Sequence, residues 1–182
     1  MNLDSLQNEC LAGERHKFLH FWGHQPRKTG VVDESCMSQW YPAGFNVEGI
    51  LYPTAEHYMM AAKARLFDDR TTEQSILNSP HPGAAKKLGR QVSGFDEHLW
   101  EQSREQIVLD ANRAKFSQHS LLLDFLLRTG ARILVEASPH DRIWGIGLSA
   151  RDAAAHDPLQ WLGLNLLGFA LMRVRDDLSL QQ

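Results

Sequence analysis

The sequence has little of what would set it apart from an ordinary globular protein. Its two cysteines, Cys10 and Cys36, are far apart and belong to no metal-binding or redox spacing. A disulfide scaffold is excluded, and free thiols in a reducing compartment are expected. No apolar run reaches the length of about 18 residues that a membrane-spanning helix requires. The opening residues Met1-Asn2-Leu3-Asp4-Ser5-Leu6 carry neither the basic nor the apolar stretch of a signal peptide. A cytoplasmic protein with no membrane association is expected. An excess of positive charge is also missing: the net charge is -3 and the isoelectric point about 6.3. That argues against a protein coating nucleic acid, although a few arginines suffice to hold a small phosphate-bearing ligand. There is no Walker loop, no dinucleotide-binding glycine fingerprint, no nucleophile elbow, no repeat and no low-complexity tract.

What remains is a chain of 182 residues, 43% hydrophobic and 23% charged, which is enough for one ordinary core. Residues 1–16 are polar and read as an N-terminal arm or short helix, with a single domain over 17–182. Strand-like pieces come early: Lys17 to Trp22, Phe45 to Val47 and Ile50 to Tyr52, the last two joined by Glu48-Gly49 as a hairpin turn. Helices follow. Thr54 is a suitable N-cap for one running through Glu56 to about Phe67. Others are expected over Pro82–Leu88, Asp96–Phe116 and Ser120–Thr129, and from near Asn165 to the end. Trp100, Arg104, Ile107 and Ala111 share a face of the longest; Leu167, Leu171, Val174 and Leu178 form the core face of the last. Ile133-Leu134-Val135 reads as a buried strand. The fold class is mostly α (α+β), with a small β portion near the N-terminus.

Two segments carry chemistry. In the helix after Thr54, Glu56 and Lys63 are seven apart, which puts them within ~20° of one line on its surface. A carboxylate and an amine facing one cleft make an acid–base or nucleophile–stabiliser pair. Two unrelated charges on a solvated face would show the same spacing. The second segment, Ser138 to Leu148, offers Asp141, Trp144, Gly145 and Gly147. Glycines admit close backbone approach and an indole stacks on planar rings. A turn capped by Asp141, with Trp144 plugging the core, explains it equally. Asn165 interrupts an apolar stretch and needs hydrogen-bond partners if buried, from a ligand, the backbone or a helix N-cap. His16, His20 and His24 recur every fourth residue, but Gly23 and Pro26 break the segment and no metal is expected.

An ordered series of segments resembles the NADAR (YbiA-like) family. It runs through Phe21-Trp22, Ser38 to Pro42, Tyr52 to Tyr58, Lys63, Ala85 to Arg90, Trp100 and Ala114-Lys115-Phe116. It continues with Leu134 to Ser138, Asp141, Trp144 to Gly147 and Gly163 to Gly168, covering about residues 18–178. The resemblance implies a multihelical fold and a hydrolase that cleaves N-glycosidic bonds to ribose. Expected substrates are phosphoribosylaminopyrimidine intermediates of the riboflavin pathway or ADP-ribosylated guanine, including ADP-ribosylated bases of nucleic acid. A non-catalytic NAD- or ADP-ribose-binding module is the alternative.

By similarity, Glu56, Trp100 and Asp141 fall on functional positions, and Lys63 on a lysine suggested to attack the anomeric carbon. Where riboflavin-pathway members can carry an acid, this chain has Ile146. The expected catalytic set is therefore Glu56, Asp141 and Lys63. Trp22, Arg90, Trp100, Trp144, Gly145, Gly147 and Asn165 are expected to bind substrate, Arg90 through a phosphate, and no cofactor is required.

Overall fold

A computed structural model describes residues 1–180, which fall into two compact units. One comprises Met1–Ser38 with the chain from Leu121 onward, the other Gln39–Ser120.

The first unit is built on a parallel strand pair, β1 (Phe18–Phe21) and β4 (Ile133–Glu136), in register from Phe18 opposite Ile133 to Phe21 opposite Glu136. All four residues of β4 are buried, as a short apolar strand covered on both faces must be. The C-terminal helix α7 (Leu166–Ser179) packs on β4. Its expected core face holds: Leu167, Leu171, Val174 and Leu178 are all buried. Gly168 lies so close to the Leu134 carbonyl that a β-carbon would collide with it. Arg175, also buried, donates to the Thr129 hydroxyl and the Arg132 carbonyl, satisfying groups just beyond α6 (Ser120–Arg128). The polar arm is not frayed. Asn2 and Ser5 cap each other's backbone amides at the head of α1 (Leu3–Leu11). Leu6 is fully buried there, and Gln7 donates to the Pro158 carbonyl.

In the second unit β2 (Phe45–Val47) and β3 (Ile50–Tyr52) form the expected hairpin, with Glu48 and Gly49 both at positive φ. Helix α2 (Ala55–Leu66) packs against α3 (Arg70–Leu77), α4 (Pro82–Gly89) and α5 (Glu97–Ser117). Helix α3 was not expected from periodicity. It starts at Asp69, whose carboxylate accepts from Ser93 N, Thr72 N and the Ser93 hydroxyl. These bonds, the Ser93 amide foremost, hold that carboxyl well below the usual range. Helix α5 forms where expected, and the face shared by Trp100, Arg104, Ile107 and Ala111 is partly covered. Of these four residues Ala111 is fully buried, and the other buried residues of the helix lie between Val108 and Phe116. The first half of this long helix is largely exposed; Trp100 is half-buried there, while the Arg104 side chain is 11% exposed and pairs with Glu101. Among the described residues, no helix is long and apolar enough to cross a membrane.

Candidate active site

In the second unit the site residues are organised by α2. Thr54 is extended (φ -148°) and its hydroxyl accepts from His57 N at 3.4 Å, the N-cap expected from sequence. The same hydroxyl meets His57 Nδ1 at 2.8 Å, and His57 Nε2 lies 3.3 Å from the Ser79 carbonyl. With Nε2–H donating to that carbonyl, Nδ1 accepts from Thr54. Burial, partly offset by the Ser79 bond, lowers the His57 pKa and favours this neutral ring.

Glu56 sits in the first turn, 2% exposed, with its backbone amide donating to the Gln39 carbonyl at 2.9 Å. A carboxylate there gains from the helix dipole. Two turns on, Lys63 Nζ donates to the Gly89 carbonyl at 2.9 Å. It stands 4.2 Å from the Phe95 ring centroid and 5.4 Å from that of Trp100. Burial among these groups pushes the Lys63 pKa below that of an ordinary lysine. Met60, between Glu56 and Lys63, fills the space a side chain at Gly89 would take. Arg90 follows Gly89 directly and is exposed. This unit therefore brings Lys63 and Trp100 together, with Arg90 next to the anchoring carbonyl and Glu56 on the same helix.

In the first unit the remaining residues gather beyond the C-terminal ends of β1 and β4. Asp141 Oδ1 accepts from Ile143 N at 2.9 Å and Trp144 N at 2.8 Å, while its carbonyl accepts from Gly147 N at 3.0 Å. The loop is thus wound round this one carboxylate. Gly147 has a φ of +69°. A β-carbon on Gly145 would come 2.8 Å from the Glu136 carbonyl oxygen, so here the close approach is to the protein's own backbone. Trp22 is 59% exposed and lies edge-on to His140 at 6.5 Å. Asn165, fully buried at φ 54°, makes no side-chain cap to α7. Its Oδ1 accepts from Glu136 N and its Nδ2 donates to the Leu134 carbonyl, both at 2.9 Å. Ile146 is wholly buried, and its amide donates to the Glu136 carbonyl.

The histidine series does not converge on one point. His16 pairs with Glu9 at 3.2 Å, whereas His20 bonds the Ala155 carbonyl and stacks edge-on against His156 at 4.6 Å. Sequence reasoning placed Gln39 and Lys115 in segments of the family resemblance but gave no role to them or to Asn112, which form a buried polar group in the second unit. Gln39, Asn112 and Lys115 are respectively 7%, 0% and 0% exposed. The one available signal was Lys115 set between apolar neighbours in Ala114-Lys115-Phe116.

The architecture is that of a YbiA-type helical protein. It aligns with the NMR structure of the Escherichia coli protein YbiA with a TM-score of 0.74 and 29% identity, over 92% of this chain and 88% of that one. Residues 20–179 match the NADAR domain model, and the chain belongs to that family. An N-glycosidase of Acanthamoeba polyphaga mimivirus is 40% identical across 90% of this chain and 98% of its own length. The N-glycosidase YbiA of Escherichia coli is 35% identical across 75% and 76%.

Proposed function

We propose that this chain, a hydrolase acting on N-glycosidic bonds like its matched relatives, cleaves the bond between ribose and a nitrogen heterocycle or amine. The observation that carries the reading is the combination on α2. A buried carboxylate stands at the helix N-terminus, and an amine with a depressed pKa lies two turns on between aromatic rings. Breaking a ribosyl C–N bond builds positive charge at the anomeric carbon while the bonding electrons leave with nitrogen. Glu56, shielded from water, is suited to stabilise that charge. Trp100 offers a face for the heterocycle and the exposed Arg90 a partner for a phosphate. Phosphate-bearing ribosyl substrates follow: phosphoribosylaminopyrimidines of the riboflavin pathway, or ADP-ribosylated guanine. Incubating the protein with each and measuring base release tests this reading. Release from one identifies the substrate class; tight binding with release from neither overturns it.

Asp141 is proposed as the second catalytic acid. Asp141→Asn keeps an oxygen to accept from Ile143 N and Trp144 N, so thermal stability should stay near wild type. Turnover should fall ~100-fold or more. Asp141→Ala removes the acceptor as well and should cost about 1–2 kcal/mol. If turnover with Asn at this position equals wild type, Asp141 only shapes the loop.

A further inference from the structure

The second unit buries a lysine that the proposed chemistry does not use. Lys115 is 0% exposed, and its ammonium stands 5.6 Å from the Tyr41 ring centroid and 5.2 Å from that of Phe116. Such a charge is rarely taken wholly out of water without an opposite charge nearby. A short chain of bonds leads from its helix to Glu56. One turn before Lys115 on α5, Asn112 Nδ2 donates to Gln39 Oε1 at 2.9 Å, and the carbonyl of the same Gln39 accepts from Glu56 N at 2.9 Å. Gln39, Asn112, Lys115 and Glu56 are all buried.

Several other charged groups on the elements around α2 are paired with one another, and the rest that flank it lie at least partly in solvent. Glu73 on α3 pairs with Arg65 at 2.6 Å and Arg70 at 3.1 Å, and the Tyr52 hydroxyl on β3 accepts from Arg65. On α5, Asp110 pairs with Arg113 and Glu101 with Arg104. On α2 itself His57 bonds Thr54 and Ser79, and Lys63 bonds Gly89. Next to α4, the ring of His81 accepts from Ala84 N, while Lys87 and Arg90 are exposed and Lys86 is half-exposed. Among the described residues of this unit, Lys115 is the buried lysine and Glu56 and Glu73 are the buried carboxylates, of which Glu73 already meets two arginines.

We propose that Lys115 is the positioning residue of Glu56: its buried positive charge keeps the Glu56 carboxylate ionised and fixed where the sugar's charge develops. The catalytic consequence rests on the reading of Glu56 given above, but the charge coupling itself does not. Thermal unfolding of Glu56→Gln, Lys115→Met and the double variant separates the two. Each single change strands one buried charge and should lower the Tm by roughly 10 °C. The double variant, lacking both charges, should recover most of that loss. Additive losses overturn the coupling, whatever the activities. If Lys115→Met alone does not fold, a folded double variant still supports the proposal and an unfolded one overturns it.

A pH profile reads the catalytic half. In Lys115→Met, the acid limb of kcat/KM should move up by about 1 pH unit or more, because the folded Glu56 would hold its proton more tightly. Lys115→Arg should return the limb toward wild type. A limb that stays in place in a folded Lys115→Met protein denies Lys115 this role. Full activity in Glu56→Gln would sink the function proposal while leaving the charge coupling intact.

Discussion

Glu56→Gln is expected to lower kcat/KM by roughly a thousandfold, about 4 kcal/mol of transition-state stabilisation, in a protein still folded at room temperature. The change removes one negative charge and almost no volume. Its large effect follows from place. Glu56 is 2% exposed and lies in the first turn of α2, where the helix dipole favours an anion. Away from water, a fixed charge acts on an oxocarbenium-like sugar far more strongly than it would in bulk solvent. The amide can still occupy the site, and the backbone bond from Glu56 N to the Gln39 carbonyl is untouched. Base-release kinetics alongside circular dichroism check the prediction. A folded variant with wild-type turnover would remove Glu56 from the mechanism.

Much of this arrangement could be read before folding, because it depends on local rules. Thr54 before an apolar-rich helix, Glu56 and Lys63 on one face, the Glu48-Gly49 turn and the core stripe of α7 all follow from spacing and residue type. What stayed hidden depends on partners distant in sequence. Asn165 was open between ligand, backbone and cap, and its amide bonds to Leu134 and Glu136 exist only because α7 packs on β4. The pairing of β1 with β4 spans most of the chain, and nothing in Phe18–Phe21 specifies it. Helix α3 buries only Glu73 and Ile76, too few residues to show a helical period. Lys115 is the plainest case. A lysine is assumed to be exposed unless tertiary contacts decide otherwise, and here they do.

Lys63→Arg should separate the two ways in which the lysine can serve the reaction. In the covalent route, the neutral Lys63 amine attacks the anomeric carbon and forms a new C–N bond. The old C–N bond breaks with its electrons on the leaving nitrogen, which takes a proton. Ring opening gives a Schiff base, and water then releases ribose and restores the amine. Burial makes this feasible by holding the Lys63 pKa below the ordinary lysine value, so that more neutral amine is present at a given pH. The unfolded chain binds this proton more tightly than the folded one, so Lys63 should make stability rise with pH between the lowered and the ordinary value. Activity should climb with pH on the same group. A guanidinium preserves the positive charge near Phe95 and Trp100 and can donate to the Gly89 carbonyl, but it stays protonated and forms no Schiff base. If the route is covalent, Lys63→Arg should lose roughly a thousandfold or more in turnover. Borohydride should then trap the sugar on Lys63 in the wild type and on nothing in the variant. If turnover falls less than ~10-fold and the wild type shows no adduct under turnover, water attacks directly and Lys63 contributes only its charge.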